Sequence, residues 1–121
     1  MSIKTVFELK AWQKGRLLTK AIYLASKEFP KEELYGLTSQ MRRSSVSITS
    51  NLAEGFSRVA IKEKLQFYNI AYASSAELLS QIITCNDVEF ISDERVHGLV
   101  ELLQEIQRLT QGLIKSTKAR L

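Results

Sequence analysis

The segment Gln40–Arg58, QMRRSSVSITSNLAEGFSR, carries two unlike stripes at one helical period. Met41, Ser45, Ile48, Leu52 and Phe56 recur at i, i+4, i+7, i+11 and i+15, an apolar and small seam. One position back, Gln40, Ser44, Ser47, Asn51, Glu54 and Arg58 form a polar seam. A solvated helix back does not need that ordered mixture of amide, carboxylate and guanidinium beside a core stripe. The pattern predicts a polar network held between helices. Val46 to Ser50 also alternates like a short strand. The 3.6-residue pattern on both sides runs longer and predicts a helix from about Leu37 to Ser57.

Three further helices follow from the flanking sequence. The first is expected after Thr5, with Glu8 completing a capping box. Its core stripe is Phe7, Ala11, Leu18, Ile22, Ala25 and Phe29, and Pro30 ends it. The third should run from about Ile61 to Asp87, with Ile61, Leu65, Tyr68, Tyr72, Leu79 and Ile82 in one stripe. Phe67, Ile70, Ala71 and Leu78 widen that stripe, so this helix is expected to be covered on more than one side. Ser92 caps the fourth, which turns Val96, Leu99, Leu103, Ile106, Thr110 and Leu113 inward and continues to near Lys118. Short connections between long helices make an all-α, antiparallel up-down-up-down four-helix bundle, one domain over residues 1–121.

Composition bounds the function. Apolar content of 45% and charged content of 25% are those of an ordinary globular chain. The lone Cys85 excludes an internal disulfide and fits a reducing compartment. The opening residues lack a signal-peptide core, and the least charged stretch, Leu65 to Asn86, is interrupted by Glu77. A cytoplasmic protein without a membrane span is expected. Residues 1–64 hold 12 Lys/Arg against 6 Glu, whereas residues 65–121 hold 5 against 7 acids, so the first half favours an acidic partner.

The residues offer little for catalysis. Cys85 and His97 fall on different predicted helices, the serines lack a nucleophile elbow, and the glycines form no phosphate loop. No enzymatic activity and no cofactor are expected. Asp93, His97 and Glu101 share one face of the fourth helix, but a single histidine is thin ligation, and the same spacing suits a solvated stripe. Glu77, the only charge in its 22-residue run, is expected to be buried and paired with Arg43 or Arg58. This defines an inter-helix cluster of Arg43, Asn51, Glu54, Arg58 and Glu77, fixing helix register or a subunit interface. Arg16, Lys20, Tyr23 and Lys27 lie on one face of the first helix, and Arg42 can extend it. A phosphate backbone and an exposed base would engage such a stripe. A solvated outer face with a snorkelled tyrosine is an equally good reading of the same residues.

FELKAWQKGRLLTKAIYLASKEFP at 7–30, LTSQMRRSSVSITSNLAEGFSR at 37–58 and FYNIAYASSAELLSQI at 67–82 resemble the four-helix-bundle proteins encoded in bacterial 23S rRNA intervening sequences. The residues that carry the resemblance are Phe29-Pro30, Gln40, Arg43, Ser47-Ile48, Asn51, Ala53-Glu54-Gly55, Arg58 and Glu77. It covers almost the whole chain and implies an antiparallel bundle. Related proteins assemble as homopentameric rings, which implies a ring here too. One relative, the accessory protein of diversity-generating retroelements, is thought to bind nucleic acid and a reverse transcriptase. RNA or DNA and such a protein partner are therefore implied, and no catalytic residue carries over.

Overall fold

The computed structural model describes residues 3–121. Among these residues there are four long α-helices and no strand: α1 Lys10–Ser26, α2 Ser39–Ser57, α3 Ile61–Asp87 and α4 Asp93–Lys118. The serine-rich segment is helical throughout, and the strand-like alternation at 46–50 is overridden. Its hydroxyls turn back onto their own helix. Ser45 Oγ donates to the Arg42 carbonyl at 2.9 Å and Thr49 Oγ1 to that of Val46 at 3.1 Å. That local bonding satisfies the polar groups and leaves the helix side thin.

The start of the chain departs from expectation. Thr5 makes no side-chain cap, and Val6–Glu8 forms a 3-10 turn instead of the first turn of α1. Glu8 Oε2 accepts from the Lys4 amide at 3.2 Å rather than closing a capping box with Thr5. The tighter turn shifts the inward position from Phe7 to Leu9. Leu9 is 5% exposed and Phe7 65%, its ring set edge-on to Trp12 at 5.2 Å. From Ala11 onward the expected stripe holds, with Leu18, Ile22 and Ala25 buried. α1 stops at Ser26, before Pro30, and the buried Phe29 packs beside Phe90 at 5.4 Å.

One core gathers residues from all four helices, including Leu18 and Ile22, Met41, Ile48 and Leu52, Tyr68, Leu78 and Ile82, and Leu103 and Ile106. α2 packs on α1 and α3, and α4 closes the set against α3 and α1. Beside this apolar packing, several contacts between helices involve a hydroxyl or a glycine. Thr19 Oγ1 donates across to the Ser45 carbonyl at 3.2 Å, beside Gly15, whose missing Cβ would lie 2.9 Å from the Thr49 methyl. Farther along, Ser47 and Ser74 share a hydrogen bond of 2.7 Å, and Gln111 donates to Tyr72 at 3.2 Å. α3 does present more than one covered side, although Ile70 is 41% exposed rather than inward.

The α1–α2 connection, residues 27–38, carries two short helical turns, Lys31–Glu33 and Leu34–Thr38, whereas the connections after α2 and α3 are short and chemically stopped. After Arg58 turns to extended backbone, the Lys64 ammonium reaches back to the carbonyls of Phe56 at 2.9 Å and Gly55 at 3.4 Å. A cation there meets the carbonyl end of α2. Burial, and then the charge of Arg120, lower the Lys64 pKa. α3 ends with the amide of Phe90 on the Cys85 carbonyl at 2.8 Å and that of Glu89 on Asn86 at 3.0 Å. This places Glu89 at φ 66°, the left-handed position that glycine usually holds after a helix. Ser92 then caps α4 as expected, its Oγ accepting from the Arg95 amide at 3.2 Å.

Gly55 is the tightest of these sites. A Cβ there would fall 2.6 Å from Cε1 of the buried Tyr68 ring and 3.1 Å from the Lys64 carbonyl oxygen. Gly55→Ala should therefore lower stability by about 1–3 kcal/mol through overpacking. That outweighs the roughly 1 kcal/mol that alanine gains over glycine inside a helix. A urea-unfolding midpoint that stays put or rises would show that the ring is free to move.

Candidate nucleic-acid interface

The residues Lys10–Ser26 that form α1 include four Lys/Arg and no Asp or Glu. Arg16, Lys20, Tyr23 and Lys27 are all exposed, so the stripe read from the sequence does face solvent. Arg42 joins it from α2. Its guanidinium lies 4.7 Å from the centre of the Tyr23 ring, and its Nε donates to Ser26 Oγ at 2.8 Å. Ser26 is buried, and its hydroxyl donates in turn to the Tyr23 carbonyl at 3.3 Å. The position of Arg42 is thus set by a fixed hydroxyl and an aromatic face together. Ser26 was not legible as part of this site, because no local spacing links it to a residue sixteen positions later.

Among the described residues, Arg16, Lys20, Lys27 and Arg42 have no carboxylate oxygen within 4.0 Å. Glu28, next to Lys27, is engaged instead by Arg95 of α4 at 3.1 Å. Lys14, on another side of α1, meets Glu105 at 3.8 Å. Arg16 lies 5.8 Å from the centre of the Trp12 ring, which ties a second aromatic to the same helix.

The polar seam of α2 does face α3, but the expected five-residue cluster divides. Near the middle, Asn51 Nδ2 donates to the carbonyl and hydroxyl of Ser47 at 2.8 and 3.0 Å, and Ser44 Oγ donates to Glu77 Oε1 at 3.2 Å. Gln81 Nε2 donates to the same carboxylate oxygen at 3.2 Å. At the turn, Arg58 pairs with Glu54 at 3.6 Å and Glu63 at 3.5 Å and stacks over Phe67 at 4.9 Å. Glu77 is exposed, which corrects the expectation that it is buried. Neither Arg43 nor Arg58 pairs with it, and Arg43 is itself exposed. Low charge along α3 does not enclose the carboxylate. A 27-residue helix packed on two neighbours still keeps an open flank, where Ile70 also lies seven residues before Glu77. On this flank Gln40, Arg43, Ser44, Ser47, Ser74 and Glu77 line an open cleft of about 330 Å³.

The remaining candidates separate. Asp93 Oδ1 accepts from Asn86 at 2.8 Å, while exposed His97 and Glu101 stand 3.6 Å apart. Among the described residues no three His, Cys, Asp or Glu side chains converge as metal ligands. Burial, with a smaller contribution from the charge of Glu33, pushes the Cys85 thiol up to about 11. It therefore stays protonated at neutral pH, against the Met41 sulfur at 3.1 Å, and the thiolate is the reactive form. Among the described residues no helix is long and apolar enough to cross a membrane.

These features define a small all-α protein of four helices, with Arg16, Lys20, Lys27 and Arg42 exposed or half-buried on one side and outside its ion pairs. Residues 7–112 match the 23S rRNA-intervening sequence protein family, and the chain belongs to that family. It is similar to the crystal structure of a protein of unknown function from the S23 ribosomal protein family of Bacteroides thetaiotaomicron, at 22% identity and a TM-score of 0.80. That likeness covers 87% of this chain and 95% of the other, and it shows the fold. No match is found among curated proteins.

The exposure of Glu77 has a measurable consequence. Glu77→Gln should change folding stability by less than about 1 kcal/mol in dilute protein, as for an exposed carboxylate. Loss of about 3–5 kcal/mol, the cost of breaking a buried ion pair, would show that the side chain is enclosed after all.

Proposed function

We propose that this chain is a non-enzymatic, cytoplasmic, antiparallel up-down-up-down bundle that assembles with copies of itself into a closed ring and binds nucleic acid, RNA foremost, along α1. The carrying observation is that Arg16, Lys20 and Lys27 share the face of exposed Tyr23, that Arg42 lies over its ring, and that among the described residues none of the four has an ion pair. Phosphates would supply the missing charge. The direction of the helices is supported by paired contacts: Thr19 with Ser45 and Ser26 with Arg42, then Gly55 with Tyr68 and Ser44 with Glu77. The count of five copies rests on the resemblance to ring-forming relatives. A ring would repeat the net charge of +4 on every protomer and concentrate the basic face around a closed surface.

Binding to an RNA oligonucleotide should weaken linearly in log salt, with a slope of about −0.7 for each phosphate contacted on a single strand. Reversing Arg16, Lys20 and Lys27 together to Glu should abolish it. Intact RNA binding by that triple variant refutes the assignment of this face.

A second reading is favoured by the cleft between α2 and α3, where Arg43 and Glu77 both lie exposed and, among the described residues, without an ion pair. In this reading the chain is a scaffold whose ring holds a protein partner, such as the reverse transcriptase the resemblance implies. The cleft is then a subunit or partner contact. Solution mass should be a multiple of 13.8 kDa, and Arg43→Glu or Glu77→Lys should reduce it. A wild-type mass of a single protomer sinks the assembly on which both readings draw.

A further inference from the structure

We infer that the Tyr23–Arg42 pair is a stacking platform for an unpaired base, so that the α1 face takes single-stranded nucleic acid in preference to duplex. This deepens the nucleic-acid reading above and rests on it. Three observations carry the inference. First, the guanidinium of Arg42 lies over the Tyr23 ring at 4.7 Å, yet Tyr23 keeps 40% of its surface in solvent. A tyrosine folded away under its arginine would not. Second, Arg42 is held from behind, because its Nε donates to Ser26 Oγ at 2.8 Å and Ser26 is only 3% exposed. The platform is therefore assembled before any ligand arrives, and little side-chain freedom remains to be lost on binding. Third, Lys20 and Lys27 flank Tyr23 at three positions before and four after on the same exposed face. Cations on both sides of one aromatic match a strand that runs along the helix, placing phosphates at the lysines and a base on the ring.

A duplex keeps its bases stacked on one another and offers this face only phosphates. The ring and guanidinium would then gain nothing over two lysines. Recognition by stacking is also sequence-tolerant, since every base has a π-face. The 2′-hydroxyl plays no part in it, so RNA and DNA strands should both depend on Tyr23.

The test uses RNA and DNA oligonucleotides of about twelve nucleotides, each single-stranded and as the matching duplex, with 2-aminopurine at one internal position. Wild-type protein should bind the single strands more tightly than the duplexes and quench the 2-aminopurine. Tyr23→Ala should lose about tenfold or more in affinity together with the quenching, and Tyr23→Phe should retain both. Arg42→Lys keeps the charge but not the planar group, and it should weaken single-strand binding severalfold while leaving the duplex unchanged. Wild-type affinity in Tyr23→Ala, with binding still abolished by charge reversal at Arg16, Lys20 and Lys27, overturns the stacking platform and leaves the phosphate-binding face standing. Equal affinity for duplex and single strand also overturns it. If wild-type protein binds none of the probes, the nucleic-acid reading itself fails.

Discussion

The close approach of α2 to both of its neighbours is the constraint from which the rest of the molecule follows. On one side, Gly15 leaves room for Thr49 and the Thr19 hydroxyl reaches the Ser45 carbonyl. On the other, the Tyr68 ring lies against the bare backbone of Gly55, and two hydroxyls, Ser47 and Ser74, meet directly. Larger side chains at these points would push the helices apart, and interiors packed to crystal density have little slack to absorb the change. The same proximity sets the surface. Arg42 can reach both Ser26 and Tyr23 only because α1 and α2 lie this close, so the packing of the core determines the geometry of the basic face.

Much of this was legible from one segment. Met41, Ser45, Ile48 and Leu52 of the seam are buried as their periodicity predicts, Phe56 at its end is half-buried, and Ser44 and Ser47 of the polar seam do face α3. A 3.6-residue period identifies the core side of a helix because burial is averaged over many turns, and one misplaced residue cannot cancel it. The bounds of α3 and the Ser92 cap of α4 were readable for the same reason, each being signalled by residues close in sequence. Helix starts are more fragile. At Thr5 the Ser/Thr-x-x-Glu spacing is present, but a 3-10 turn spends it differently, and two residues of register pass from Phe7 to Leu9.

What the sequence could not convey is which polar side chains meet across helices. Low charge along Leu65 to Asn86 suggested that Glu77 is enclosed, yet enclosure depends on how far around α3 the neighbours reach. Two neighbouring helices leave a flank open, and Glu77 sits there with Ser44 and Gln81 as partners. Arg58 likewise found its acids locally, at Glu54 and Glu63, where a short turn makes the pairing geometrically easy. The Ser26–Arg42 bond is the opposite case: it spans a turn-rich connection and two helix ends, and only the folded chain brings it about.

Charge placement gives the basic face its meaning. An excess of cations in one half of a chain can be silenced on folding if acids from the other half come to meet it. Here that happens only in part. Lys14 of α1 meets Glu105, and Arg95 meets Glu28 just past the end of α1, so these ion pairs with α4 leave Arg16, Lys20 and Lys27 unpaired. Pairs as exposed as these contribute little to stability. Glu28 is paired with Arg95 rather than with its neighbour Lys27. Arg42 is then added on the same side by a hydroxyl and a ring rather than by a carboxylate, so its positive charge is positioned without being neutralised. Holding it through neutral groups leaves the guanidinium charge outside any ion pair among the described residues.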